Sequence, residues 1–194
     1  MVIKFFKSQQ PLAYIMLALT AVVIWMSGYG SGFTVHTENA MPFYFFLLKT
    51  IKPDITWIYF LSALTLTILQ AIHLNNIANR HEVLYKGSLL PGLFFILLSG
   101  SIPQFISFHP ILIVNSILIF ILDKIFRLYK NETPLTLDFD ICVLLSVITL
   151  FYFPAIIFLL IYAIGLIILR PFSWRDWIVG LMGFLTPVFF VMLY

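Results

Sequence analysis

The sequence predicts an all-α protein: a polytopic transmembrane bundle of about seven helices, N-terminus in the cytoplasm, with a short interfacial helix in the first outer loop. Three observations predict this. Hydrophobic residues make up 62% of the 194 residues and charged residues only 10%, where a soluble domain carries about 25%. The mean hydropathy is +1.06, so lipid is the expected solvent for most of the chain. The apolar residues fall in long unbroken runs, and not in the short alternating segments of a membrane β-barrel. In hydrocarbon every backbone N–H and C=O must be satisfied within the chain, which leaves helices as the spanning element.

A span needs about 20 apolar residues. The first runs from Leu12 to about Phe33 and ends in small residues, Ser27-Gly28-Tyr29-Gly30-Ser31-Gly32, that admit a neighbouring helix. Lys4 and Lys7 before it resemble the start of a signal peptide, but the run is too long for an h-region and no A-x-A site closes it, so it reads as a retained span. The second runs from about Ile55 to Asn75. The third, about Leu89 to Ile102, is short and holds Pro91, Gly92 and Gly100. The fourth runs from about Ile111 to Phe126.

The stretch from Leu135 to Leu169 is too long for one comfortable span and short for two, with Pro154 in its middle. Proline either kinks one helix or separates two. Lys and Arg accumulate on cytoplasmic loops. Two passes place Lys4, Lys7, Arg80, Lys86, Lys124, Arg127, Lys130, Arg170 and Arg175 inside and leave only Lys49 and Lys52 outside. One kinked pass moves Arg170 and Arg175 outside and weakens the asymmetry. A tight helical hairpin turning near Pro154 is therefore expected, followed by a last span from about Trp177 to Tyr194. No linker or internal repeat interrupts the chain, which reads as a single transmembrane domain, residues 1–194, expected to continue beyond Tyr194 because no polar tail follows the last span. Ala40 to Ile51, with Pro42-Phe43-Tyr44-Phe45-Phe46-Leu47-Leu48 ahead of Lys49 and Lys52, is too short to span and suits a helix lying in the headgroup region.

The formal charge is +3, and the basic residues sit at segment ends without clustering on one face, so no nucleic-acid partner is expected. The single cysteine, Cys142, cannot form an intrachain disulfide and reads as a small hydrophobe. No G-x-x-x-x-G-K-[ST] loop, G-x-S-x-G elbow or H-E-x-x-H helix is present, and no cofactor or metal is expected.

The candidate site residues lie in four places. Glu38, just after the first span, is either a solvated loop acid or a general base facing a lipid-linked substrate. His36 and His109 read as interfacial histidines. Gln70, His73 and Asn76 share one face of the second span; polar groups at that depth face protein or a water-filled cavity, so Gln70 and His73 are candidates for a ligand or partner site. Asn115 inside the fourth span suits an interhelical hydrogen bond. Arg170 and Arg175, in the turn Arg170-Pro171-Phe172-Ser173-Trp174-Arg175-Asp176-Trp177, suit lipid phosphate, with the tryptophans in the interfacial belt.

That turn with Gly183 and Pro187 after it, the opening Phe5-Phe6-Lys7-Ser8, and Leu150-Phe151-Tyr152-Phe153-Pro154-Ala155 together resemble, over essentially the whole chain, a family of polytopic inner-membrane proteins of Bacteroidota, a domain of unknown function. The resemblance implies a bacterial inner-membrane location and a chain longer than this one. The layout of a first span, an outer loop with an acid and an interfacial helix, and later spans is also similar to the GT-C membrane glycosyltransferases, which use polyprenyl-phosphate sugars. Met41-Pro42-Phe43-Tyr44-Phe45-Phe46-Leu47-Leu48 looks like their aromatic loop segment and Glu38 would match their acid, although Asn39 follows where they carry an acidic pair. Two functions follow as expectations. One is a non-catalytic inner-membrane subunit of a cell-envelope biogenesis assembly, with the bilayer and other envelope proteins as partners. The other is a GT-C-like enzyme acting on a polyprenyl-linked lipid through Glu38.

Overall fold

The computed structural model describes residues 11–29, 41, 44, 45, 48, 56–84, 87–102, 106–130, 135–169 and 173–193. Its described elements are helices α1 (Pro11–Tyr29), α2 (Thr56–Arg80), α3 (Leu90–Ser101), α4 (Pro110–Lys130) and α5 (Leu135–Phe151), a 3-10 turn (Phe153–Ile156), and helices α6 (Ile157–Leu169) and α7 (Trp174–Leu193). The protein is all-α. Each segment read from the sequence as a span falls on a helix, the stretch 135–169 on two; residues 30–33, the expected end of the first span, lie outside the described residues. Among the described residues two stretches, Trp57–Arg80 and Trp174–Leu193, are long and apolar enough to cross a membrane; Pro11–Ser27, Leu90–Ser101 and Phe153–Ile168 are apolar but shorter. Of the expected interfacial segment only Met41, Tyr44, Phe45 and Leu48 are described, with Tyr44 fully buried; the rest of it lies outside the described residues.

The chain divides into two compact units, Met1–His36 with Lys52–Leu112, and Thr37–Ile51 with Ile113–Tyr194. In the first unit, α1 buries Ala13, Leu17, Ala21 and Trp25, one residue per turn on one face. Trp25 meets Phe60 of α2 edge-on, with ring centroids 6.0 Å apart. The close approach to α1 comes from α3: a Cβ on Gly100 would collide with the Ile24 side chain.

Helix α2 runs five residues past its expected end at Asn75, because its polar end is covered by chain that follows it. Asn75, fully buried, accepts a hydrogen bond from the Gly92 backbone N–H at 2.7 Å, and Asn79 accepts one from the Ser88 N–H at 3.2 Å. Both bonds satisfy donors around the start of α3, where a helix has no carbonyl of its own to offer. Asn75→Ala is expected to lower stability by about 1–3 kcal/mol, since it strands the Gly92 N–H in the interior. Asn76→Ala, at the exposed neighbouring position, is expected to change little. Thermal unfolding in mild detergent measures both, and equal shifts would remove the structural role assigned to Asn75.

In the second unit, Val114, Ile121 and Leu128 of α4 and Ile141, Leu145 and Ile148 of α5 form a buried core with Ala155. Lys124 and Asp140 close one end of the pair with a 2.7 Å ion pair. At Pro154 the chain turns. The Tyr162 hydroxyl donates to Asp138 Oδ1 at 2.6 Å, whereas 24 residues of one continuous helix would hold these groups about 36 Å apart. The chain therefore folds back on itself at Pro154, near where the expected hairpin was placed. Met41 donates its backbone N–H to the Phe151 carbonyl beside the turn, at 3.1 Å. Helix α7 starts at Trp174, three residues earlier than expected, because Ser173 caps it: its Oγ accepts the Asp176 N–H at 3.4 Å.

Candidate functional site

The second unit holds a cavity of about 200 Å³ between α5, α6 and α7. Two close approaches shape it. A Cβ on Gly183 would lie 2.7 Å from the Phe139 carbonyl oxygen and 3.2 Å from Cys142 Cβ, and one on Gly180 would lie 3.2 Å from Cys142 Sγ. The two glycines let α7 lie directly on α5, while α6 stands farther off and leaves the space open. Leu159, Ala163, Leu166 and Phe184 are among the carbon surfaces that line it, with Cys142 at the α5–α7 contact.

Two carboxylates line the same cavity, Asp138 at 1% exposure and Asp176 at 9%. Each occupies the first turn of its helix, α5 and α7 respectively, where the positive end of the helix dipole favours a negative charge by roughly 0.3–1 kcal/mol. Asp138 is further held by Tyr162, whose ring also lines the cavity together with Trp177. Burying a carboxylate is costly unless hydrogen bonds and local dipoles replace water, and both devices are present for Asp138. Among the described residues that line the cavity, none is Lys, Arg or His.

Neither aspartate stood out in sequence reasoning. The available signal was Asp138 within the apolar run after Leu135, since an ionisable residue inside a predicted span marks a site by default. The residues singled out from the sequence fall elsewhere. Gln70 is buried on α2 and donates through Nε2 to the Leu112 carbonyl at 2.7 Å, tying α2 to the first turn of α4. His73 is half-buried one turn further on α2, and Asn115 is half-buried on α4. Arg175 is exposed in the first turn of α7. Glu38 and Arg170 lie outside the described residues. Among the described residues no group of three or more His, Cys, Asp or Glu side chains is arranged to hold a metal ion.

No protein-family model, curated protein or solved structure matches the chain.

Proposed function

We propose that the chain is a multi-pass protein of a bacterial inner membrane, with helices α1 to α7 all crossing and the N-terminus in the cytoplasm, and that it serves as a non-catalytic subunit of a cell-envelope biogenesis assembly. The observation that carries the membrane reading is the apolar outer surface of the helices. On α1 the face opposite the buried one exposes Leu12, Ile15, Leu19, Val23 and Met26. On α7, Leu181, Leu185, Phe189 and Met192 are exposed in the same way. The largest apolar patch on a typical soluble monomer is about 300–600 Å²; stripes of large side chains along whole helices suit lipid or partner helices. The subunit reading draws on α2, where Gln70, Asn75 and Asn79 are engaged with backbone groups of the same unit and thereby serve architecture. The Bacteroidota resemblance supplies the envelope context. The glycosyltransferase alternative depends on Glu38 and has its own assay, in which Glu38→Gln abolishes transfer from a polyprenyl-linked sugar.

Two measurements test the proposal. In a Cys142→Ala background, Ser173→Cys is expected to resist a membrane-impermeant thiol reagent applied from the periplasm and to react once the membrane is opened. Labelling from the periplasm would overturn the seven-pass topology. Purification from native membranes in mild detergent is expected to bring down other envelope proteins in fixed ratio, and a chain that purifies alone would sink the subunit reading.

A further inference from the structure

The cavity of the second unit has an open apolar side and a charged end. Leu160 on α6 and Leu181 on α7 line it yet keep 64% and 61% of their surface exposed, so the space opens outward between these two helices across carbon. Asp138 and Asp176 lie in first turns, which puts a negative field where α5 and α7 begin. Trp177, Tyr162 and Phe184 add aromatic faces to the wall, and such faces attract organic ammonium groups. Arg175 is exposed beside Asp176. Consecutive helical residues point about 100° apart, so on the first turn of α7 the Asp176 side chain lines the cavity while that of Arg175, next in sequence, is exposed on the adjacent face.

We infer that this cavity binds a phospholipid whose headgroup carries both a phosphate and a primary ammonium, with part of one acyl chain in the cavity, the ammonium at Asp176 and the phosphate at Arg175. The carbon lining calls for an apolar chain. An apolar cavity of about 150 Å³ admits a benzene ring, so about 200 Å³ takes a chain segment, and the open side lets the remainder stay in the bilayer. The two carboxylates disfavour a purely anionic headgroup, and Arg175 disfavours a purely cationic amphiphile. The inference rests on the membrane reading above.

The test uses the full chain in vesicles of phosphatidylethanolamine and phosphatidylglycerol in equal parts, followed by mild-detergent extraction and mass spectrometry of the retained lipid. Resistance of the protein to alkaline extraction is scored first. Release by alkali overturns the membrane reading itself; when the protein resists alkali, the lipid measurements decide the inference. Wild type is expected to retain the ethanolamine lipid over the glycerol lipid by about fivefold. Ala163→Phe, which fills the cavity, is expected to cut retention of both lipids by about tenfold, with Ala163→Leu intermediate should the larger ring hinder insertion. Asp176→Asn is expected to keep retention while its lipid ratio returns to that of the vesicles. Equal retention of the two lipids by wild type overturns the inference. So does undiminished retention in both Ala163 variants, or recovery of a second copy of the chain in place of phospholipid.

Discussion

Gly183→Leu is expected to lower stability by about 3 kcal/mol, at the upper end of what overpacking a filled contact costs. The Cβ of any side chain at this position would stand 2.7 Å from the Phe139 carbonyl oxygen. A backbone atom in a helix cannot swing aside as a side-chain tip can, so α7 must move off α5 along the most closely packed contact of the second unit. In a chain of this size, about 3 kcal/mol corresponds to roughly 6–12 °C in Tm, readable by thermal unfolding in detergent. Gly165→Leu provides the internal control. It lies on α6 with nothing within 4 Å of its would-be Cβ, so the same change should cost little there and should gain a few tenths of a kcal/mol in helix propensity. Equal losses at the two glycines would show that α5 and α7 do not meet at Gly183.

The bond between Tyr162 and Asp138 carries the second large effect. A hydroxyl donating to a carboxylate is worth about 1.5–3 kcal/mol in a protein interior, whereas interhelical hydrogen bonds in a membrane average about 0.6 kcal/mol. The 2.6 Å distance and the 1% exposure of Asp138 favour the higher value. Tyr162→Phe is expected to cost about 2 kcal/mol. In a double-mutant cycle with Asp138→Leu the coupling should exceed the membrane average, because replacing both partners by apolar groups removes the unsatisfied acceptor. Coupling at or below about 0.6 kcal/mol would show that the bond does not hold the hairpin closed.

The helices were legible because apolar runs of this length have few other solutions, and the turn at Pro154 was legible because charge at the far ends of its two arms selected it. The partners of the polar side chains were not. The stripe from Gln70 to Arg80 is visible in the sequence as a spacing, yet Asn75 bonds the backbone N–H of Gly92 and Gln70 the carbonyl of Leu112. Backbone groups are the same at every position and leave no residue signature to pair with. The cavity was hidden for a related reason. Asp138 and Asp176 look like ordinary first-turn acids, and only the placement of α6 beside the glycine-mediated α5–α7 contact turns those two turns into the wall of one space. Gly183 itself was quoted only as part of a resemblance, since a glycine in an apolar run does not announce which helix approaches it.

Helix α3 has only 12 residues, about 18 Å of helix against a hydrocarbon thickness of about 30 Å. Beyond it the chain at Ile106, Ser107 and Phe108 is not helical, yet all three residues are buried, and Phe108 packs its ring against Tyr59 of α2 at 5.2 Å. Irregular backbone is tolerated at membrane depth only where protein encloses it. If α3 crosses, it does so as a half-helix, with the buried non-helical residues Ile106, Ser107 and Phe108 enclosed by protein, and the bilayer beside it must thin or the neighbouring α2 must shield the gap. The first unit would then favour thin membranes over thick ones, a preference set by one short helix and independent of any headgroup.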